Sequence, residues 1–260
     1  MKKAERGIFR ITKNEEISPG LFELCVESPE IVSLASAGQF VNLYLPDKTK
    51  LLPRPISIAD AYDNTLKLVY AVVGKGTLAL TDQSVGMELE IMGPQGTGFF
   101  DYEGSIIEDA LTVLLVGGGA GIPPLYFAAR KLKAIVNKRI NIIGVLGYRD
   151  EPWYETEFSS VCDHVHIVSE TEGRTKYTGN VLTVLENISM QNQLPDLALT
   201  CGPGPMLKAV SEWCKGREIP LRISMEERMG CGYGVCAGCK MGGKKVCTDG
   251  PVFWSDEVVW

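Results

Sequence analysis

Eight cysteines are spread unevenly through the 260 residues, and four of them fall in one glycine-rich stretch, EERMGCGYGVCAGCKMGGKKVCTDGPVF (226–253). Cys231, Cys236, Cys239 and Cys247 are separated there by four, two and seven residues. Thiolates are ligands for soft metal ions, and four that converge suit either a zinc ion or a pair of sulfide-bridged irons. Glycines 230, 232, 234 and 238 let the backbone turn sharply and bring its N–H groups toward sulfur.

The spacing separates the two chemistries. Structural zinc sites usually carry two C-x2-C knuckles, whereas this stretch has a single x2 pair. The C-x4-C-x2-C run with a further cysteine is that of plant-type 2Fe–2S proteins, so these four residues are the expected metal ligands. The last interval, of seven residues, is shorter than in many plant-type ferredoxins. Cys25, Cys162, Cys201 and Cys214 are scattered. The first residues, MKKAERGIFRITKNEE, are charged and lack the apolar core of a signal peptide, which implies a cytoplasmic chain in which disulfides are rare. Cys25, Cys162 and Cys214 then read as small buried hydrophobes.

A second constellation is LLPRPISIAD (51–60). Its Arg54-Pro55-Ile56-Ser57 resembles the R-P-x-S motif of the ferredoxin reductase-like flavoproteins. An arginine can grip a flavin diphosphate with charge-assisted, bidentate hydrogen bonds, and the serine can face the isoalloxazine edge. The resemblance implies that Val69, Tyr70 and Ala71 lay backbone and side chain along the flavin. Gly74-Lys75-Gly76-Thr77 follows, and a glycine turn with a threonine at a helix start is a phosphate site, with Gly76 and Thr77 as its candidates.

The third lies in VGGGAGIPP (116–124), between an apolar run and a helical pattern. Gly117, Gly118, Gly119 and Gly121 allow close backbone approach at a helix N-terminus. The G-x-G-x-x-G dinucleotide fingerprint is absent, but the run looks like the G-G-x-G-I-x-P motif of the ferredoxin reductase-like nicotinamide domain. Its companion is TCGPGPM (200–206); the resemblance implies that Gly202 and Pro203 border the nicotinamide and that Cys201 lies near the hydride path. Hydride transfer to a flavin needs positioning rather than an acid or base. After the next strand, Asp150 and Glu151 would repel a 2′-phosphate while Arg149 would attract one, a modest preference for NAD over NADP. His164 and His166, the two histidines, fall on one face of a strand that reads as half-exposed.

These residues need a scaffold, and the hydrophobic pattern supplies it. Six short runs, 9–17, 21–28, 39–46, 55–60, 66–73 and 87–94, alternate partially and are separated by turn residues. They predict a small antiparallel barrel with a short helix at 77–83. From LTVLLV (111–116) onward, strand and helix patterns alternate: helix 123–135, strand 140–149, strand 165–170, helix 180–188, strand 196–201 and helix 205–216. That alternation predicts a parallel sheet covered by helices. The fold class is thus α/β with an all-β N-terminal part: a flavin-binding barrel (1–103), a nicotinamide-binding domain (104–221) and a cysteine-rich 2Fe–2S tail (222–260).

Composition narrows the classes. The chain has 26 basic and 32 acidic side chains, a net charge of −6, with 45% hydrophobic and 22% charged residues. That is an ordinary globular balance with nothing to concentrate on phosphate backbones, so no nucleic acid is expected. No apolar run approaches the length that spans a bilayer, so no membrane is expected.

Flavin barrel, nicotinamide domain and cysteine tail, in that order, resemble the electron-transfer subunits of NAD-linked dihydroorotate dehydrogenases over residues 5–255. RPISI (54–58), GGGAGIPP (117–124), CGPGPM (201–206) and the cysteine stretch with VCTDGPVF (246–253) carry the resemblance. It implies FAD, a 2Fe–2S cluster and NAD as substrate. It also implies an FMN-containing catalytic subunit as partner, and a heterotetramer of two plus two chains. Related subunits of sulfite reductase, hydrogenase or ferredoxin:NADP reductase type share the same motifs. A zinc-bearing binding module that reuses the fold is the reading from outside enzymes.

Overall fold

The structure is a computed structural model that describes residues 4–47, 49–101, 112–135, 140–190 and 194–260. The chain forms two compact units, Met1–Gly98 with Glu226–Val252, and Phe99–Met225 with Phe253–Trp260. No described helix is long and apolar enough to cross a membrane.

The first unit is built on six strands, β1 (Glu5–Ser18), β2 (Leu21–Glu27), β3 (Phe40–Tyr44), β4 (Arg54–Tyr62), β5 (Thr65–Ala71) and β6 (Glu88–Gln95). They close as an antiparallel barrel in the order β1-β2-β5-β4-β3-β6, which leaves no sheet edge unpaired. Ile11, Leu24, Val26, Val41, Leu43, Ile58, Leu66, Leu68, Leu89 and Ile91 are buried to form its core. Each predicted run became one strand, because alternation at this spacing leaves one face apolar on every strand. Helix α1 (Pro29–Leu34), too short for periodicity to announce, follows β2, and α2 (Lys75–Thr81) follows β5.

The second unit is a parallel sheet. Its elements are β7 (Thr112–Gly118), α3 (Ile122–Ile135), β8 (Asn141–Tyr148), α4 (Glu155–Val161), β9 (His164–Ser169) and β10 (Tyr177–Thr178). Next come α5 (Val181–Met190), β11 (Leu197–Cys201), α6 (Gly204–Lys215) and β12 (Leu221–Ser224). Val113, Leu114, Leu115 and Val116 of β7 are fully buried, as the continuous apolar run requires. Arg222 of β12 is buried too; its guanidinium lies 4.2 Å from the centre of the Trp254 ring and donates to the Phe99 carbonyl.

The chain then returns to the first unit. Strands β13 (Lys240–Met241) and β14 (Lys244–Lys245) form a tight hairpin, followed by one helical turn, Val246–Asp249. Thr97 holds the far end: its N–H donates to the Gly250 carbonyl at 2.6 Å and its hydroxyl to the Val252 carbonyl at 3.2 Å. Strand β15 (Val252–Trp254) completes the second unit's sheet, whose order is β10-β9-β8-β7-β11-β12-β15. The sequence sets 222–260 apart as a third domain; in the fold, 226–252 is one unit with the barrel. The expected boundary at 103 lies outside the described residues, as does Leu111 of the predicted strand 111–116.

Cys25, Cys162 and Cys214 are core residues. Burial pushes their thiols up to about 11, about 12 and about 12, so they stay protonated and inert.

Candidate functional site

The cysteine stretch groups its thiols two and two. The Cys231 N–H points at the Cys236 sulfur and the Cys236 N–H at the Cys231 sulfur, each at 3.4 Å. The Gly238 N–H is a second donor to the Cys236 sulfur, also at 3.4 Å. Burial raises the Cys231 thiol, but the N–H groups of Cys236, Tyr233 and Val235 outweigh it and bring it down to about 6. Cys247 is pushed up to about 12, by burial and by the Cys239 thiol beside it. Iron would hold both as thiolates whatever their free values.

The hairpin explains the short interval. Lys240 pairs with Lys245 and Met241 with Lys244, and the Val246 N–H donates to the Cys239 carbonyl at 3.0 Å. Seven residues folded back on themselves therefore bring Cys239 and Cys247 together. Lys245 also reaches across to the Gly234 carbonyl at 2.7 Å and fixes the hairpin to the loop that carries the other pair. Two pairs of thiols, each able to take one iron, suit a binuclear cluster better than one tetrahedral zinc. Cys239 and Cys247 are buried, while Cys231 is half-exposed and Cys236 exposed.

Asn42 joins this loop to the barrel. Its side-chain amide donates to the Cys231 carbonyl at 3.2 Å from the middle of β3. Sequence reasoning missed it, although a lone asparagine inside the apolar run QFVNLYLP was a signal.

On the same barrel, β4 changes partners halfway. Arg54–Ser57 pair with β3, while the ladder with β5 begins at Ile58↔Leu68. Backbone edges of Pro55, Ile56 and Ser57 and of Val69, Tyr70 and Ala71 are thereby left outside the β4–β5 ladder, a parting that could take the edge of a flat ring. Arg54 is half-buried and donates to the Leu52 carbonyl. Its guanidinium lies over Gly76, where any Cβ would fall 1.9 Å from Nε. Glycine at 76 is thus a requirement of the arginine's position.

Two expectations change in detail. The Tyr70 ring is buried, stacked on Phe22 at 5.6 Å, and its hydroxyl donates to Asn14 Oδ1 at 3.1 Å. It belongs to the barrel wall, and Tyr70 offers backbone rather than side chain at the parting. Thr77 accepts from the N–H groups of Val73 at 2.9 Å and Gly74 at 3.2 Å, so its hydroxyl caps its own helix.

In the second unit the candidates meet at a reversal of strand order. The chain runs from β7 to β8, β9 and β10 on one side, then crosses to β11 on the other. Ligands of open α/β sheets bind at the carboxyl ends of strands beside such a reversal. Gly117 and Gly118 end β7, Gly119 and Gly121 form the turn into α3, and Cys201, Gly202 and Pro203 lead from β11 into α6. A Cβ on Gly121 would stand 2.4 Å from the Cys201 carbonyl oxygen, and one on Gly118 would stand 2.7 Å from Met206 Sδ. The two turns are therefore in backbone contact, and Cys201 is buried beneath them.

Beyond β8, the Asp150 carboxylate accepts from the Thr171 hydroxyl at 2.8 Å, and Glu151 pairs with Arg174. Arg149, Asp150 and Glu151 are all exposed. His164 is exposed and His166 half-buried against the Tyr177 ring at 6.0 Å. Burial, then His164 and Lys176, lowers the His166 pKa.

The cysteine stretch matches a family described as the iron-sulfur cluster binding domain of dihydroorotate dehydrogenase B, over residues 226–259. The electron transfer subunit of dihydroorotate dehydrogenase B (NAD(+)) from Bacillus pumilus is 36% identical, across 99% of this chain and 98% of that one. The subunit of the same name from Shouchella clausii is 37% identical, across 99% of both. This chain belongs to that family. Dihydroorotate dehydrogenase B electron transfer subunits thus account for barrel, sheet and cysteine stretch together. Among solved structures, a chain of the NADH-dependent reduced ferredoxin-NADP oxidoreductase superposes with a TM-score of 0.85 at 28% identity, covering 98% of this chain and 90% of that one. A ferredoxin NADP+ reductase from Neisseria gonorrhoeae, with bound FAD and NADP, shares the fold at a TM-score of 0.66 and 16% identity, over 82% of this chain and 92% of that one.

Proposed function

We propose that this chain is the electron-transfer half of a dihydroorotate dehydrogenase, carrying electrons from a catalytic subunit to NAD+. The observation that carries the reading is the paired cysteine loop held on a barrel whose Arg54 guanidinium lies over the bare backbone of Gly76. Bound FAD would exchange single electrons for a hydride, and a 2Fe–2S cluster would relay electrons one at a time.

This chain's residues bind and orient. Arg54 holds the flavin diphosphate, and the parting at Pro55–Ser57 and Val69–Ala71 holds the ring. Gly117 to Gly121, Gly202 and Pro203 let a dinucleotide approach the backbone, with Cys201 beside the nicotinamide. Cys231, Cys236, Cys239 and Cys247 hold the cluster. Three functional stretches follow: flavin (1–103), nicotinamide (104–221) and cluster (222–260). Asp150, held by Thr171, favours NAD over NADP.

The partner is an FMN-containing subunit that oxidises dihydroorotate to orotate, assembled two plus two in the cytoplasm. Other redox complexes remain the second reading, favoured by the close superposition on the ferredoxin-NADP oxidoreductase chain. The test is an anaerobic absorbance titration with NADH on protein co-purified from its host, with iron, sulfide, FAD and FMN quantified. A flavin-plus-cluster spectrum bleached by NADH, with FMN in a co-purifying chain and dihydroorotate turnover that requires that chain, is the expected result. FAD and cluster without FMN would move the partner to another redox enzyme. Neither flavin nor iron would overturn the reading.

A further inference from the structure

Asn42 is a buried polar side chain in the wall of an apolar barrel. It has no exposed surface, and its neighbours along β3, Val41 and Leu43, are core residues. Its Nδ2 donates to the Cys231 carbonyl at 3.2 Å. Its Oδ1 is buried with no hydrogen-bond partner. An unpaired buried acceptor is a cost that an apolar residue of the same size would not incur.

The cluster loop is shaped around this amide. A Cβ on Gly232 would stand 2.4 Å from Asn42 Oδ1 and 2.5 Å from Nδ2. The φ of +72° at Gly232 is itself one that side chains resist. Across the ladder, Asn42 faces Pro55 of the flavin motif. Asn42 thus belongs to the strand paired with the flavin motif, and its side chain holds a backbone carbonyl of a candidate cluster ligand.

We infer that Asn42 is a positioning residue that sets the reduction potential of the cluster. The inference rests on the iron–sulfur reading above. The positive end of the amide dipole points at Cys231, next to a centre that becomes more negative on reduction. A donor so placed favours the reduced form, because cluster potentials follow net charge, hydrogen bonding and solvent access. Removing Nδ2 leaves the Cys231 carbonyl unopposed and lowers the potential. An aspartic acid of the same shape is held protonated by burial, still offers an O–H donor to the carbonyl, and so keeps most of the potential.

The test compares whole protein with Asn42→Leu and Asn42→Asp. Iron and sulfide are quantified, the potential is read by redox titration of the cluster absorbance, and the reduced cluster by electron paramagnetic resonance. Flavin content checks the barrel. The expected result is a cluster in both variants, with the midpoint shifted down and g-values altered in Leu, and both close to wild type in Asp, which keeps a donor. If Asn42 only fills space, Leu keeps the wild-type potential and spectrum, which overturns the inference. Upward shifts overturn it too. So does loss of iron from both variants with flavin retained, because Asn42 would then serve loop assembly rather than potential. A wild-type protein without iron would instead refute the iron–sulfur reading itself.

Discussion

Arg54 and Gly76 interlock: the guanidinium occupies the place a side chain at 76 would need, with Nε 1.9 Å, Nη2 2.3 Å and Cζ 2.4 Å from an ideal Cβ. The residues are far apart in sequence, yet the arginine's aim depends on the bare backbone at the start of α2. An arginine side chain is flexible, so Gly76→Ala should displace the guanidinium without unfolding the barrel. FAD affinity is expected to fall about tenfold or more, the worth of one charge-assisted contact. Arg54→Ala should match it, and the double variant should add little. Flavin-to-protein ratio and fluorescence titration with FAD measure all three.

Cys247→Ser should strip most of the iron, as should Cys236→Ser, because each removes one member of a thiol pair. Cys214→Ala should keep the full iron complement and lose about 1–2 kcal/mol of stability through the small cavity it leaves. Iron and sulfide analysis, with a denaturant melt of the last variant, separates the two classes. Full iron in Cys247→Ser would remove that residue from the ligand set.

Asp150→Asn removes the negative charge beside β8 while leaving Thr171 able to hydrogen-bond. With Arg149 next to it, the variant should gain about tenfold in kcat/KM for NADPH relative to NADH, the order of one removed charge repulsion. Steady-state reduction of an artificial acceptor with each nucleotide reads this ratio. An unchanged ratio would place nucleotide selection elsewhere.

Glu23 is a buried carboxylate on the barrel, between Lys13 at 2.9 Å and Lys67 at 2.7 Å. Burial raises its pKa, but hydrogen bonds and charge from Lys67 and Lys13 outweigh it and hold the group below the ordinary 4.5. A carboxyl with a depressed folded-state pKa stabilises the fold above its unfolded value and loses that contribution as pH falls through the folded one. Glu23→Gln should therefore cost roughly 1–3 kcal/mol near neutrality and progressively less below about pH 4. Denaturant melts of wild type and variant across that range check the convergence.

Much of this architecture was legible before any coordinates. The barrel strands alternate, and Val113–Val116 form an unbroken apolar run, so burial on one face or two could be read from the pattern itself. Helix α4 was not, because Glu155–Val161 follows the charged and aromatic stretch RDEPWY, which reads as loop. Cys231 to Cys239 announced themselves by spacing. Cys247 looked too near, since counting residues does not reveal that Met241-Gly242-Gly243-Lys244 turns the chain back on itself. Asn42 and Cys231 lie far apart along the chain, and their contact belongs to tertiary structure. Tyr70 sits where a flavin-facing ring was expected, but strand alternation aims it at Phe22 and Asn14 instead.

The barrel and the segment that clasps it are separated in the chain by the entire Phe99–Met225 unit. On the ribosome, β3 is therefore made long before the loop that covers Asn42, and Thr97 must wait for Gly250 and Val252. The barrel's outer face emerges incomplete, and the four thiols appear only after the parallel sheet has been synthesised. Iron loading at those thiols therefore cannot precede synthesis of the parallel sheet, and a chain cut short before Glu226 has a barrel without its clasp.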